Sequence, residues 1–368
     1  MHLNPWGLDP TTLSALLSGQ SVIDMPRLAV RSLDQASEFL LSYGYNTQEP
    51  SHVERLWYFH RRALVYLEEV LELDLSKLPE VLKDRKALND LRRILIFASA
   101  TDEGDVELQR WSCRILRVMH VFVHAESDLF SSFSEDIQKQ ILSSFQASVF
   151  TDGASAKTFL KAKDDSGESI RLEGFEIKPF KTSTSTVTKL LAKPDAYAMN
   201  VLDRMGVRFI TNSILDAFRV LQFLIQQNLI SYPHIMPDQS VNTIYPVSLF
   251  LEVLEDLKQS QFSMSELEIE NLFESKLARG DQQFLRKENS FSGEDYRFIK
   301  LISRRMVRIG SNEKNPGFSF FFPFEIQILD AKSYQKIQEG PSRHQAYKQR
   351  QREAARTRVL SEKGASRI

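Results

Sequence analysis

A single cysteine, Cys113, occurs in 368 residues, so no disulfide forms within the chain and its core must hold the fold. Glycine is sparse too, 14 in all, and none of it gathers into a P-loop or a dinucleotide fingerprint. Any phosphate is therefore expected to be held by side chains. Paired cysteines for zinc are missing, as is the adjacent His-Asp pair of metal-dependent phosphohydrolases, so hydrolysis of that kind is not expected. Neither sign of charge dominates, with 47 Lys and Arg against 48 Asp and Glu, and no global field argues for nucleic acid or a membrane surface. Apolar runs such as ILIFASA and FSFFFPF fall short of the roughly 20 residues that span a bilayer. No basic leader followed by a signal-length apolar stretch opens the chain, so the expected address is cytoplasmic, away from the membrane.

What is present is ordinary globular material: 42% hydrophobic and 26% charged residues, in a chain long enough for two or three domains. The first 150 residues read as helices. SHVERLWYFHRRALVYLEEVLEL offers Ser51 and Glu54 as a capping box and places Val53, Leu56, Trp57, Ala63, Leu64, Leu67 and Val70 on one stripe. VELQRWSCRILRVMHVFVHAESDLF repeats the pattern through Leu108, Trp111, Ile115, Met119 and Phe122, and SEDIQKQILSSF adds another helix. In the second of these, Cys113, Arg117, His120, His124 and Asp128 fall opposite the apolar stripe. Their spacing suits metal ligation, although a polar outer face or a contact with the sheet domain is the more frequent explanation.

Near residue 150 the texture changes to a Gly, Ser and Asp cluster, followed by alternating strands (RLEGFEI, GVRFIT, FIKLISRRMVRI, FSFFFPFEIQIL) and helices such as SILDAFRVLQFLIQQN. The expected fold is α+β: a helical N-terminal domain over 1–150, then a mixed β-sheet domain over 151–340 flanked by helices. A helical insert over about 238–290 is marked by PVSLFLEVLEDLKQS and by the Ser265–Glu268 capping pair. A basic helix and tail over 341–368 carries either a solvated face or a phosphate-binding one.

Residues 176–208 are the best phosphate-holding candidates, since Lys178, Lys181, Lys189, Lys193, Arg204 and Arg208 outnumber Glu176, Asp195 and Asp203. In PFEIQILD, Phe324, Ile326 and Ile328 lie on one side of a strand and Glu325 and Gln327 on the other. With Asp203 and Glu325 on neighbouring strands, two carboxylates would share a Mg2+ that bridges substrate phosphates. Surface ion pairs are the bland alternative.

The ordered segments KTSTSTVTKLL, LDRMGVRFI, DYRFIKLISRRMVRI, PFEIQIL and GPSRHQAYK resemble the synthetase domain of RelA/SpoT-type alarmone (ppGpp) synthetases, over roughly residues 170–350 apart from the helical insert. The resemblance implies a nucleotidyltransferase-like fold and Mg2+-dependent transfer of pyrophosphate from ATP to the 3' hydroxyl of a guanine nucleotide or related acceptor. It assigns Asp203 and Glu325 to the metal and to catalysis, Glu325 also activating the hydroxyl, and it assigns Lys181, Ser185, Lys189 and Arg208 to nucleotide binding. Tyr296 matches the tyrosine that stacks on guanine, Gln327 completes a Glu-x-Gln pair, and His344, Tyr347 and Lys348 match a terminal His-x-x-Tyr-Lys. Departures are Pro179, Leu329, Asp330, Phe298 and Lys300, which stand where the family keeps Arg, Arg, Thr, Ser and His; Lys300 offers a replacement charge to a phosphate. A catalytically silent nucleotide-binding module is one alternative. A transferase acting on an RNA 3' end, held by the basic stretch after His344, is another, and assembly of like chains is left open.

Overall fold

The computed structural model describes residues 13, 17, 21–25, 28–100, 106–126, 132–162, 169–193, 201–261, 263–278, 284, 297–310, 317–339 and 344–361. The chain divides into two compact units: 1–128 with 182–200 and 349–368, and 129–181 with 201–348. Residue 150 thus falls inside the second unit, and two later stretches return to the first.

The first unit is helical. It holds α1 (Leu33–Ser42), α2 (Pro50–Val65), α3 (Arg85–Leu88), α4 (Arg93–Ala98), α5 (Val106–Glu126), α7 (Ser183–Ala192) and most of α12 (His344–Leu360). Of the predicted stripe, Leu56, Trp57 and Ala63 of α2 and Leu67 just beyond it are buried, while Val53, Leu64 and Val70 are half-buried; in α5 Trp111, Ile115, Met119 and Phe122 are buried and Leu108 is half-buried. The Ser51–Glu54 capping box is not used. Pro50 occupies the first turn, with Glu49 as the N-cap and no side-chain cap; its missing N–H is one that the first turn leaves unpaired in any case. Past Val65 the helix widens into a π turn, Tyr66–Val70, and the Tyr66 hydroxyl meets Thr188 Oγ1 of α7 at 2.8 Å.

The second unit is built on a seven-stranded sheet in the order β1-β2-β3-β4-β7-β6-β5. The strands are β1 (Val149–Thr151), β2 (Thr158–Leu160), β3 (Ile170–Lys178), β4 (Gly206–Thr211), β5 (Val241–Asn242), β6 (Ile299–Ile309) and β7 (Phe318–Asp330). β4 and β7 run parallel and every other pair is antiparallel, so the sheet is mixed and the class is α+β. One face carries the core, with Val207 and Phe209 of β4 and Phe322, Phe324, Ile326 and Ile328 of β7 packed with residues of α6 (Ser134–Gln146) and α8 (Ile214–Gln226). The insert folds as α9 (Val247–Gln259) and α10 (Glu266–Leu277), the latter opened by the expected Ser265–Glu268 capping box. Buried Val253 and Phe273 tie both helices into the same core. α11 (Ala331–Glu339) follows β7 directly.

Candidate active site

Alternation decides which side chains share the other face of the sheet, and the register aligns them in rows across β3, β4, β7 and β6. Lys178, Gly206, Glu325 and Ile302 form the first row; Glu176, Arg208, Gln327 and Lys300 form the second. Gly174, Ile210 and Leu329 begin the third, which closes the face with an apolar cluster of Ile210, Leu329, Phe298 and Tyr334. Two polar rows therefore end against a hydrophobic stop.

The first row is only as tight as Gly206 allows. A Cβ there would overlap the Glu325 backbone carbonyl and lie 2.9 Å from the Glu325 Cβ. This close approach brings the loop before β4 onto β7, where the Glu325 amide donates to the Met205 carbonyl at 2.9 Å. Asp203, two residues earlier, thereby enters the neighbourhood of Glu325.

Both acids are ion-paired to lysines. Lys178 Nζ lies 2.7 Å from Glu325 Oε1, and Lys181 Nζ lies 2.6 Å from Asp203 Oδ2. Burial pushes the Glu325 carboxyl up and Asp203 adds to that, but Lys178 and Lys181 outweigh them and hold it below the usual carboxylate range. Burial likewise pulls Lys181 down, while Asp203 and Glu325 overcome the burial and leave it raised. Lys178 is the exception: burial wins and lowers it, with Glu325 opposing. The four groups sense one another, so Asp203 and Glu325 belong to one electrostatic cluster rather than to opposite sides of the sheet.

In the second row Arg208 is the hub. Its Nε donates to Gln327 Oε1 at 3.1 Å and its Nη1 to Glu176 Oε2 at 2.8 Å, while the Tyr334 hydroxyl donates to Glu176 Oε1. Lys300 stands opposite Gln327 on β6. Glu325 and Gln327 are buried, so the strand's polar side faces this cluster and not open water.

The remaining sequence candidates lie elsewhere or cannot be placed. Ser185 and Lys189 sit in the first unit, on α7, where Ser185 lies within the turn capped by Thr182. Tyr347 and Lys348 lie in the first turns of α12, on the second unit's side of the boundary, and Tyr347 acts electrostatically on Lys181. His344 begins that helix, and its side chain is outside the described residues, as is Tyr296. Lys178, named from sequence only as a phosphate-holding candidate, is the partner of Glu325. Glu176 was missed as a site residue, and gave no signal until Arg208 was seen opposite it.

Two carboxylates match the oxygen-donor chemistry of Mg2+, which takes one or two protein carboxylates and completes its shell with water and substrate phosphates. Among the described residues no group of three or more His, Cys, Asp or Glu could cage a metal alone. Among the described residues the Cys113–His124 face of α5 is no such site, and it is outer only toward its end: Cys113 and Arg117 are buried, while His124 is exposed. Asp128 lies outside the described residues.

No family model matches the chain, and no curated protein matches it. Among solved structures it is similar to a GTP pyrophosphokinase family protein from Streptococcus pneumoniae, at 14% identity and a TM-score of 0.25, over 51% of this chain and 70% of that one. A likeness that weak carries no argument about activity. No helix of the described residues is long and apolar enough to cross a membrane.

Proposed function

We propose that the polar face of the second unit binds nucleotide phosphates and transfers pyrophosphate from ATP to the 3' hydroxyl of a guanine nucleotide or a related acceptor. The observation that carries the reading is the paired cluster Lys178–Glu325 and Lys181–Asp203, two acids and two lysines gathered where β4 meets β7. Pyrophosphoryl transfer asks little covalent chemistry of a protein; it needs cations against phosphate charge and a group that orients the attacking hydroxyl. The residues supply both. An arriving triphosphate competes with the carboxylates for Lys178 and Lys181, so each lysine that turns to phosphate releases an acid. Glu325, freed in this way, accepts the proton of the acceptor hydroxyl as the hydroxyl oxygen bonds the ATP β-phosphorus and the α–β phosphoanhydride bond breaks, releasing AMP, while Arg208, held by Glu176 and Gln327, stays positioned. Mg2+, held by Asp203 and Glu325 when bound, would neutralise phosphate oxygens and draw charge from the leaving group.

A second reading rests on the apolar third row. Leu329 and Phe298 replace the donors that the resembled synthetases keep there, and both belong to a hydrophobic cluster with Ile210 and Tyr334. A face closed in that way fits a module that holds nucleotide and does not turn it over. One experiment separates the readings: purified protein is incubated with γ-labelled ATP, Mg2+ and GDP, GTP or an RNA 3' end, and the products are resolved by chromatography. A labelled acceptor that disappears with Glu325→Gln supports transfer. Nucleotide binding without product from any acceptor, before and after that substitution, overturns transfer in favour of the silent module.

A further inference from the structure

In the first unit, the last turns of α5 and the end of α1 bring three rings together. His120 and His124 stand one helical turn apart, with ring centroids 4.5 Å apart and planes at 69°. Tyr43, the residue that ends α1, lies 5.9 Å from His120 and 6.3 Å from His124 by ring centroid. Its hydroxyl meets His120 Nδ1 at 2.9 Å. His124 is exposed and His120 half-buried, so the pair sits at the surface.

Packing alone would explain an edge-on ring contact. The nitrogens add chemistry to it. Burial, helped by His124 and Arg358, pulls His120 down to about 4, and burial lowers His124 as well, so at pH 7 both imidazoles are neutral and each keeps a lone pair. With Nδ1 turned to Tyr43, Nε2 is the nitrogen His120 has left for a ligand. A hydrogen-bond partner on the second nitrogen is the usual support of a metal-bound imidazole, because it fixes the ring and sets which nitrogen is the donor. His60 has no such use: it too is neutral at pH 7, but both of its nitrogens are sealed in the core.

We propose that His120 and His124 chelate one divalent first-row transition metal ion through their Nε2 atoms, with Tyr43 orienting His120 and water completing the shell. Two histidines at i and i+4 lie on one helix face, the spacing by which helices present imidazole pairs to zinc. Metal–nitrogen bonds of about 2.0–2.1 Å, at a right angle or slightly wider, set two imidazole centroids roughly 4.5–5 Å apart, as these rings already are. Two donors do not enclose a metal, so the ion exchanges with solvent and is not a structural one. The choice of metal follows from charge. Arg358 adds positive field at His120, which disfavours hard cations held by charge alone; Cu2+, Ni2+ and Zn2+ bind through the nitrogen lone pair, Cu2+ most tightly. The site lies in the first unit and is independent of the transferase reading.

The test is titration of the full chain with Cu2+, with Mg2+ in excess to occupy carboxylates and in a His2→Ala background, so that the amine and imidazole at the start of the chain do not compete. One ion per chain is expected, with an electron paramagnetic resonance spectrum that shows two imidazole nitrogens. His124→Ala changes an exposed position and is expected to keep the circular dichroism spectrum, to weaken binding about a hundredfold and to remove one nitrogen from the resonance spectrum. Tyr43→Phe is expected to weaken binding about tenfold with both nitrogens still present, because it frees the His120 ring without removing a donor. The proposal is overturned if the background chain binds no Cu2+ at sub-millimolar concentration, or if the bound ion shows fewer than two imidazole nitrogens. It is overturned equally if His124→Ala binds as well as the background chain, which would place the ion elsewhere.

Discussion

Gly206 is a glycine because of what lies on the next strand. Its φ is not in the left-handed region; the constraint is the Glu325 backbone, which a Cβ would overlap. Gly206→Ala must therefore push β4 away from β7, and since the neighbour is main chain, the strain cannot be relieved by a rotamer. A cost of about 2–3 kcal/mol is expected in urea unfolding, as for overpacked cores. An unchanged midpoint would mean that the two strands are not this close. Glu325→Gln asks a different question at the same place. It keeps the shape and leaves the mostly buried Lys178 ammonium without its counter-charge, for an expected loss of about 2 kcal/mol. Adding Lys178→Met should return much of that loss, because the penalty is the orphaned charge and not the missing bond; a double variant as unstable as the sum of the singles would refute the pairing. At this scale the sequence made the two acids and Arg208 legible, since each sits at a strand start or on a clean alternation. It could not show that lysines already occupy both acids, because an ion pair 147 residues apart in sequence leaves no local pattern.

Among the elements, the long strands and helices were readable wherever one face is apolar: GVRFIT, the β6 and β7 runs, and the insert pair all fold where periodicity puts them. The short β1–β2 hairpin was not, because three-residue strands beside a Gly/Ser/Asp turn are too brief to alternate. The basic C-terminal segment was read as solvated or phosphate-binding, and its composition hid its packing. Ala355 and Val359 of α12 are fully buried, and Arg358 ties to Asp24 and to the carbonyls of Leu190, Leu191 and Lys193. Sparse small apolar residues among many cations gave too little contrast to mark a buried face. Ending the chain after Lys348 is therefore expected to unfold the first unit rather than only to weaken an RNA contact, and loss of the near-ultraviolet circular dichroism signal would report it. A milder element-scale check is Ser265→Ala, which removes the capping box of α10 and should cost about 1 kcal/mol in urea unfolding.

For the whole molecule, the division into two units places the two described tryptophans, Trp57 and Trp111, both buried, in the first, and the second unit carries none, so the fluorescence of these two follows the first unit. The same unit buries His60, where burial lowers the ring from 6.5 to about 4. The unfolded chain takes up this proton near pH 6.5, and the folded one does not until about pH 4. Between those values the unfolded state binds more protons, so stability is full above 6.5, falls as the pH drops and levels off below about 4. At pH 5 His60 alone removes about 2 kcal/mol, and His120, lowered in the same direction, adds to it. Urea unfolding followed by tryptophan fluorescence should show a lower midpoint at pH 5 than at pH 7. In His60→Leu the difference between the two pH values should shrink, because the leucine carries no proton to exchange. Equal midpoints at pH 5 and 7 in the parent would show that the buried histidines titrate normally.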